Sequence, residues 1–295
     1  MKRQALALLT IISTGIMAGC GSGGAASGSA TSTIISGKVA DGYLSGAEVF
    51  LDKNGNYQWD SGEPKTTTDG NGAYSMTVSA ADAAMYPMVA RAIAGVTIDK
   101  DTNTGVTNSY VMCAPAGATG FISPMSTLIR EKMAANPGMT FNDAMTQLRN
   151  QMHLTAGIDM MADYVSGSLS GMNAAQYQTM RTTAQQMVGL MAGQAALVMN
   201  GSGVNQNRYR SMMATINSNM SAIAANASNG QGMNSTFMTG MMSQMLAQLG
   251  TMPMGGGGFA NYSGMFRNMT SSRYFWNTSG GTMTPTTPMS GGMMM

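Results

Sequence analysis

The chain reads as a β region followed by an α region: an N-terminal antiparallel β-sandwich, then an α-helical bundle, then a disordered Met/Gly-rich tail. Three observations predict this. From Ile34 to Ala118, short β-favouring runs alternate with turn clusters. After Gly120 the apolar residues recur at helical spacing. From Gly250 onward the chain is rich in Gly, Met, Thr, Pro and Ser, with no period that could bury a face and with an aromatic island over Asn261 to Trp276. The resulting organisation is a leader over 1–19, a tether over 20–33, a β-domain over 34–119, helices over 120–249 and a tail over 250–295.

The leader has Lys2 and Arg3 ahead of an apolar stretch, Ala5 to Met17, that is too short to span a bilayer. It ends in Met17-Ala18-Gly19-Cys20, which resembles the lipobox of bacterial lipoproteins. That resemblance implies lipidation of Cys20, which becomes the mature N-terminus and ties the chain to a membrane. Gly21 follows, where an aspartate would favour inner-membrane retention in many diderm bacteria, so an outer-membrane address is expected. An ordinary secretory peptide with a chance cysteine is the alternative. Residues 21–33 are Gly, Ser, Ala and Thr, suited to a flexible tether.

In the β region, Ile34 to Ala40 and Ala47 to Asp52 read as strands joined through Asp41-Gly42-Tyr43-Leu44-Ser45-Gly46. Ala73 to Val78 follows the turn Thr68-Asp69-Gly70-Asn71-Gly72. Tyr86 to Ile93 and Val106 to Cys113 flank a polar connection carrying Asp99, Asp101 and Asn103. Short strands between frequent turns are what a sandwich requires.

One of these connections carries a chemical signature. Asp52, Asn54, Asn56, Asp60 and Glu63 stand at positions 1, 3, 5, 9 and 12 of a twelve-residue loop, and Gln58 at position 7 can offer its backbone carbonyl. This is the ligand spacing of a calcium loop, because Ca²⁺ takes six to eight oxygens and a bidentate glutamate closes the shell. Tyr57 occupies position 6, where a glycine normally makes the sharp turn, so Gly55 is expected to make it instead. With three charged ligands, affinity on the order of 10⁻⁴ M or poorer is expected. A plain hairpin turning at Asn54-Gly55 is the competing reading. The second acidic turn, Asp99-x-Asp101-x-Asn103, has Tyr110 at its twelfth position and reads as a turn.

Ser36-Gly37-Lys38-Val39, Ala47-Glu48-Val49-Phe50-Leu51-Asp52 and Thr67-Thr68-Asp69-Gly70-Asn71-Gly72-Ala73-Tyr74 together resemble prealbumin-like modules. These include carboxypeptidase-regulatory-like domains and the calcium-binding B-repeats of bacterial adhesins. The resemblance covers about 85 residues and implies a β-sandwich with a structural calcium.

Behind it, Ser123-Pro124 opens a helix that runs to Ala135 and stops at Asn136-Pro137-Gly138. Thr140 with Asp143 forms a capping-box pattern for a second helix to about His153. The arrangement is similar to a helical extension found behind such modules in uncharacterised bacterial lipoproteins, a resemblance that carries no activity. Met180, Ala184, Met187, Met191, Ala195 and Val198 make one stripe, and Met212, Ile216, Met220 and Ile223 the next. Phe237, Met241, Met245 and Leu249 make a third. The chain holds 35 methionines, and most helical ones fall on these stripes, so methionine serves there as a flexible core residue. The tail methionines serve no helix: Met252, Met254, Met265, Met269, Met283, Met289, Met293, Met294 and Met295. Thioethers prefer Cu(I), so a copper-handling tail is the alternative function.

Composition excludes other classes. Residues 20–163 hold eight Lys/Arg and thirteen Asp/Glu, net −5, whereas 164–295 hold five arginines and no acid. Five arginines over that length are too dilute for nucleic acid. His153 is the only histidine, and Cys113 is the only cysteine besides Cys20. Cys113 is expected to be buried, and a catalytic dyad has little to draw on. The expectation is a lipid-anchored envelope protein with an adhesion or scaffolding role and an envelope or extracellular protein partner.

Overall fold

The computed structural model describes residues 31–253. The first part contributes strands β1 (Ser32–Val39), β2 (Leu44–Ser45), β3 (Glu48–Leu51), β4 (Lys65–Thr67) and β5 (Ala73–Ser79). A short helix, α1 (Ala80–Met85), capped by Ser79, precedes β6 (Met88–Ala92). Then come β7 (Ile98–Asp99), β8 (Thr104–Gly105), β9 (Tyr110–Ala114) and β10 (Phe121–Ile122). They form a four-stranded antiparallel sheet in the order β4-β3-β6-β9 and two three-stranded sheets, β10-β1-β5 and β2-β7-β8. The short strand β10 pairs with β1 in parallel, so the sheets are mixed rather than wholly antiparallel. A β-then-α order is what the period change at Gly120 predicts.

The longest pairing joins β1 to β5 from Ser32↔Ser79 to Lys38↔Ala73. At its end, the Val39 N–H donates to the Gly72 carbonyl in the turn ahead of β5. Asp69 Oδ1 accepts the N–H groups of Asn71 and Ala73, and Gly72 takes φ +73°. A Cβ at Gly72 would sit 2.9 Å from the Val39 carbonyl oxygen, so glycine is required twice over.

The strand β9 is buried at every position, unlike a half-solvated strand. The cause is α2 (Pro124–Ala135), which lies against it. Thr127 Oγ1 accepts from the Cys113 N–H at 2.9 Å, and the Ser126 hydroxyl donates to the Cys113 carbonyl at 2.6 Å. Strands covered on both faces read as continuous apolar runs, as Tyr110-Val111-Met112-Cys113-Ala114 does.

The second part follows with α3 (Phe141–Gln151), α4 (Tyr164–Gly167), α5 (Ala174–Gly193) and α6 (Ala195–Val198). A two-stranded ribbon, β11 (Met199–Asn200) and β12 (Gly203–Val204), leads to α7 (Gln206–Ser218), α8 (Met220–Ser228) and α9 (Thr236–Gly250). Ser123 caps α2 and Thr140 caps α3, both as capping boxes. Met180, Met187 and Met191 are buried on α5, Met212 on α7, Met220 on α8 and Met241 and Met245 on α9. These methionines do fill the core. On α9 the stripe begins at Met238 rather than Phe237, which is exposed at its edge. Ala195 is half-buried because α5 ends two residues before it. One cluster of buried apolar residues runs from Ile35 in β1 to Leu249 in α9. Among the described residues, no helix is long and apolar enough to cross a membrane.

Candidate metal centre

Asp52 follows β3 and is fully buried, with its N–H donating to the Pro87 carbonyl. The next residues curl around its carboxylate. Oδ1 accepts the N–H groups of Gly55 at 2.8 Å and Asn56 at 3.1 Å, and Oδ2 accepts that of Tyr57 at 3.1 Å. Two residues make the curl, Gly55 at φ +75° and Tyr57 at φ +62°. The sequence assigns the sharp turn to Gly55 alone; position 6 in fact keeps the left-handed conformation although it is a tyrosine. Such a backbone costs on the order of 1–3 kcal/mol and persists only when its surroundings impose it.

The surroundings are visible at the other end of the side chain. The Tyr57 ring is fully buried and sits 4.6 Å from the Tyr209 ring of α7, tilted by 50°. The Arg130 guanidinium lies 4.5 Å from the ring centre. The Tyr57 hydroxyl donates to Glu131 Oε1 at 2.9 Å and accepts from Arg130 and from Arg210 Nε, the latter at 3.2 Å. Burial, and then the charge of Glu131, raise the Tyr57 phenol far above its usual range, so it stays a neutral donor. Residue 57 therefore anchors the loop to α2 and α7.

The remaining predicted ligands lie on the outer side of the loop. The side-chain amides of Asn54 and Asn56 both donate to Asp60 Oδ2, each at 2.7 Å. Their Oδ1 atoms accept the N–H groups of Asn56 and Gln58. Glu63 spans the loop, accepting from the Lys53 N–H at 2.7 Å and the Asp60 N–H at 3.0 Å. The Gln58 side chain lies against Gly203 in β12, where a Cβ would collide with it. Trp59 is partly exposed, donates from its indole to the Glu63 carbonyl at 2.9 Å and carries Lys65 Nζ 3.8 Å from its ring centre.

Asn54, Asn56 and Asp60 thus converge, while Asp52 and Glu63 each brace the loop through N–H groups. Among the described residues no three Asp, Glu, His or Cys side chains form a group that could hold a metal. A calcium ion would displace N–H partners from Asp60 and Glu63 and turn both asparagine amides so that their oxygens face it. The donor set is all oxygen, which suits a hard cation.

The other residues singled out by sequence separate from this loop. Cys113 is buried, 3.8 Å from the Tyr209 hydroxyl, and burial pushes its thiol up to about 12. His153 is exposed just beyond α3 at φ +56°. Asp99 and Asp101 form a turn, with Asp99 Oδ1 accepting the Asp101 N–H and Asp101 held by Arg181. Met252 is half-buried against the core, and its carbonyl accepts from Arg208 Nη2 at 2.5 Å. Cys20 and the other tail methionines, Met254, Met265, Met269, Met283, Met289, Met293, Met294 and Met295, lie outside the described residues. Sequence reasoning missed the partners of Tyr57. The available signal was a bulky aromatic in a place the loop reserves for glycine, which implies a tertiary hold. Comparison with protein-family models, curated proteins and solved structures found no match to this chain.

Proposed function

We propose that this chain is a lipid-anchored, non-catalytic protein of the cell envelope, attached through Cys20 and acting in adhesion or scaffolding. In this reading the strands form a β-sandwich, the helices form a bundle, and calcium in the Asp52–Glu63 loop stiffens the joint between them. The observation that carries it is Tyr57: one residue belongs to the ion loop by its backbone and to α2 and α7 by its side chain. An ion that orders the loop would therefore order the joint, which is a structural use of calcium rather than a sensory one. The prealbumin-like resemblance of residues 34–119 supports the same assignment. So does the sealed environment of Cys113, which removes the obvious nucleophile from solvent.

The test uses the mature chain with calcium and with a chelator, followed by thermal melting and by proteolysis between residues 53 and 63. Calcium is expected to raise the melting temperature and to slow cleavage. If chelation changes neither, the structural-calcium reading fails. Fractionation of cells expressing Cys20→Ala tests the anchor separately, because a variant that still sediments with membranes contradicts lipid attachment.

A further inference from the structure

We propose that the cleft between the β7–β8 hairpin and α5 binds a primary ammonium group, held by Asp41. Asp41 lies in the connection between β1 and β2 and is only 6% exposed. Its Oδ2 accepts from the Tyr110 hydroxyl at 3.0 Å, whereas its buried Oδ1 has no hydrogen-bond partner. Buried carboxylate oxygens are ordinarily satisfied, and one without a partner in a residue that lines a cleft points to a missing donor. The cleft is about 200 Å³ and is bounded by Asp41, Asp99, Thr104, Asn108, Val188 and Ala192.

The rest of the lining selects the kind of donor. Asp99 lies near enough for its charge to act on Asp41, and burial with that charge pushes the Asp41 carboxyl up to about 7. Two carboxyls facing a small space call for a cation. A divalent metal would need six or more oxygens around it, which a cleft with a partly apolar lining does not offer on every side. Val106, Val188 and Ala192 make part of the lining apolar. An ammonium on an alkyl stem matches both parts, with three donors for the oxygens and methylenes for the apolar lining. Arg181 does not fill this role, because Asp101 holds its guanidinium at 2.6 and 3.2 Å. A volume below that of drug-sized pockets restricts the guest to a short alkylamine or the end of a lysine side chain.

Calorimetric titration of the full mature chain tests this, with n-butylammonium, 1,4-diaminobutane, Nα-acetyl-lysine methylamide, tetramethylammonium and CaCl₂ as probes. Saturable binding of primary ammonium ions is expected, with tetramethylammonium inert because it has no N–H. Asp41→Asn should weaken binding at least tenfold, and Thr104→Val, on the exposed rim, several-fold. A shift of the Tyr110 ring signals on adding butylammonium reports the site in the unmutated chain. Comparable binding of the acetyl-lysine amide and butylammonium assigns the guest to a lysine of a protein, whereas preference for the free amines assigns it to a small molecule. Failure of every primary amine to bind overturns the proposal. So does binding that survives Asp41→Asn, or calcium binding that depends on Asp41 and excludes the amines.

Discussion

The hydroxyl of Tyr57 donates to Glu131 Oε1 at 2.9 Å, which joins the sixth residue of an oxygen-rich loop to the third turn of α2. Glu131 is 3% exposed and also paired with Arg130, so the tyrosine belongs to a buried charged cluster rather than to a surface contact. Removing the hydroxyl by Tyr57→Phe leaves part of that cluster unsatisfied and is expected to cost about 1–3 kcal/mol. Tyr57→Gly restores the residue that such loops usually carry and relieves the left-handed backbone. It also empties the space beside Tyr209, and loss of a buried aromatic costs about 3–5 kcal/mol. The glycine variant is thus expected to be the less stable of the two by urea denaturation. Equal or greater stability of Tyr57→Gly would show that the ring holds nothing.

How far the sequence reveals this arrangement depends on whether a feature is local. The caps Ser123 and Thr140 were legible because each acts on an N–H three residues away. The methionine stripes were legible because helical period is a local property. The curl around Asp52 was half legible: Gly55 showed one of its two left-handed residues, whereas of the spaced side chains only Asn54, Asn56 and Asp60 meet, through amide N–H groups. The partners of Tyr57 lie 73 to 153 residues away along the chain, beyond the reach of any spacing rule. Asp41 was hidden for the same reason, since its hydrogen-bond partner Tyr110 lies 69 residues away along the chain.

Calcium should stabilise the protein by an amount that its expected affinity sets. With a dissociation constant on the order of 10⁻⁴ M, 1 mM calcium contributes about 1.4 kcal/mol through preferential binding to the folded state. Asp60 receives both asparagine amides, so Asp60→Ala removes the point on which the outer ligands converge. The variant is expected to melt at the same temperature with calcium and with chelator. A calcium increment that persists in Asp60→Ala places the ion elsewhere.

Stability should also fall as pH rises through the range set by Asp41. Its folded carboxyl is pushed up to about 7 from 3.8, first by burial and next by the charge of Asp99, with Asp101 and Tyr164 also bearing on the site. Tyr110 donates to it, and Arg181 neutralises Asp101 from α5. Between pH 4 and 7 the folded state holds a proton that the unfolded chain releases, so stability declines with increasing pH and levels off above 7. The shift corresponds to on the order of 4 kcal/mol across the window. Asp82 and Asp163 are held below 3.8 by their lysine and hydroxyl partners, and Lys132 is lowered only to about 8, so none of these titrates inside it. Subtracting the pH profile of Asp41→Asn from that of the unmutated chain isolates the effect. A flat difference would mean that Asp41 is ionised in the fold at no cost.

Cys113 offers a way to watch the joint itself. The Tyr209 hydroxyl lies 3.8 Å from its sulfur, and the Tyr209 ring packs against Tyr57, so thiol, ring and loop form one continuous contact. With the thiol at about 12, the thiolate fraction at pH 8 is on the order of 10⁻⁴. Labelling by a thiol reagent therefore requires opening, and its rate reports how often the sheet β4-β3-β6-β9 parts from α2 and α7. Cys20→Ser leaves Cys113 as the only thiol for this measurement. Tyr57→Gly should accelerate labelling by loosening the contact from the loop side, and calcium should slow it in the unmutated chain but not in Asp60→Ala. If labelling instead tracks global unfolding identically in all three proteins, the loop does not govern the joint, and its calcium would stabilise only itself.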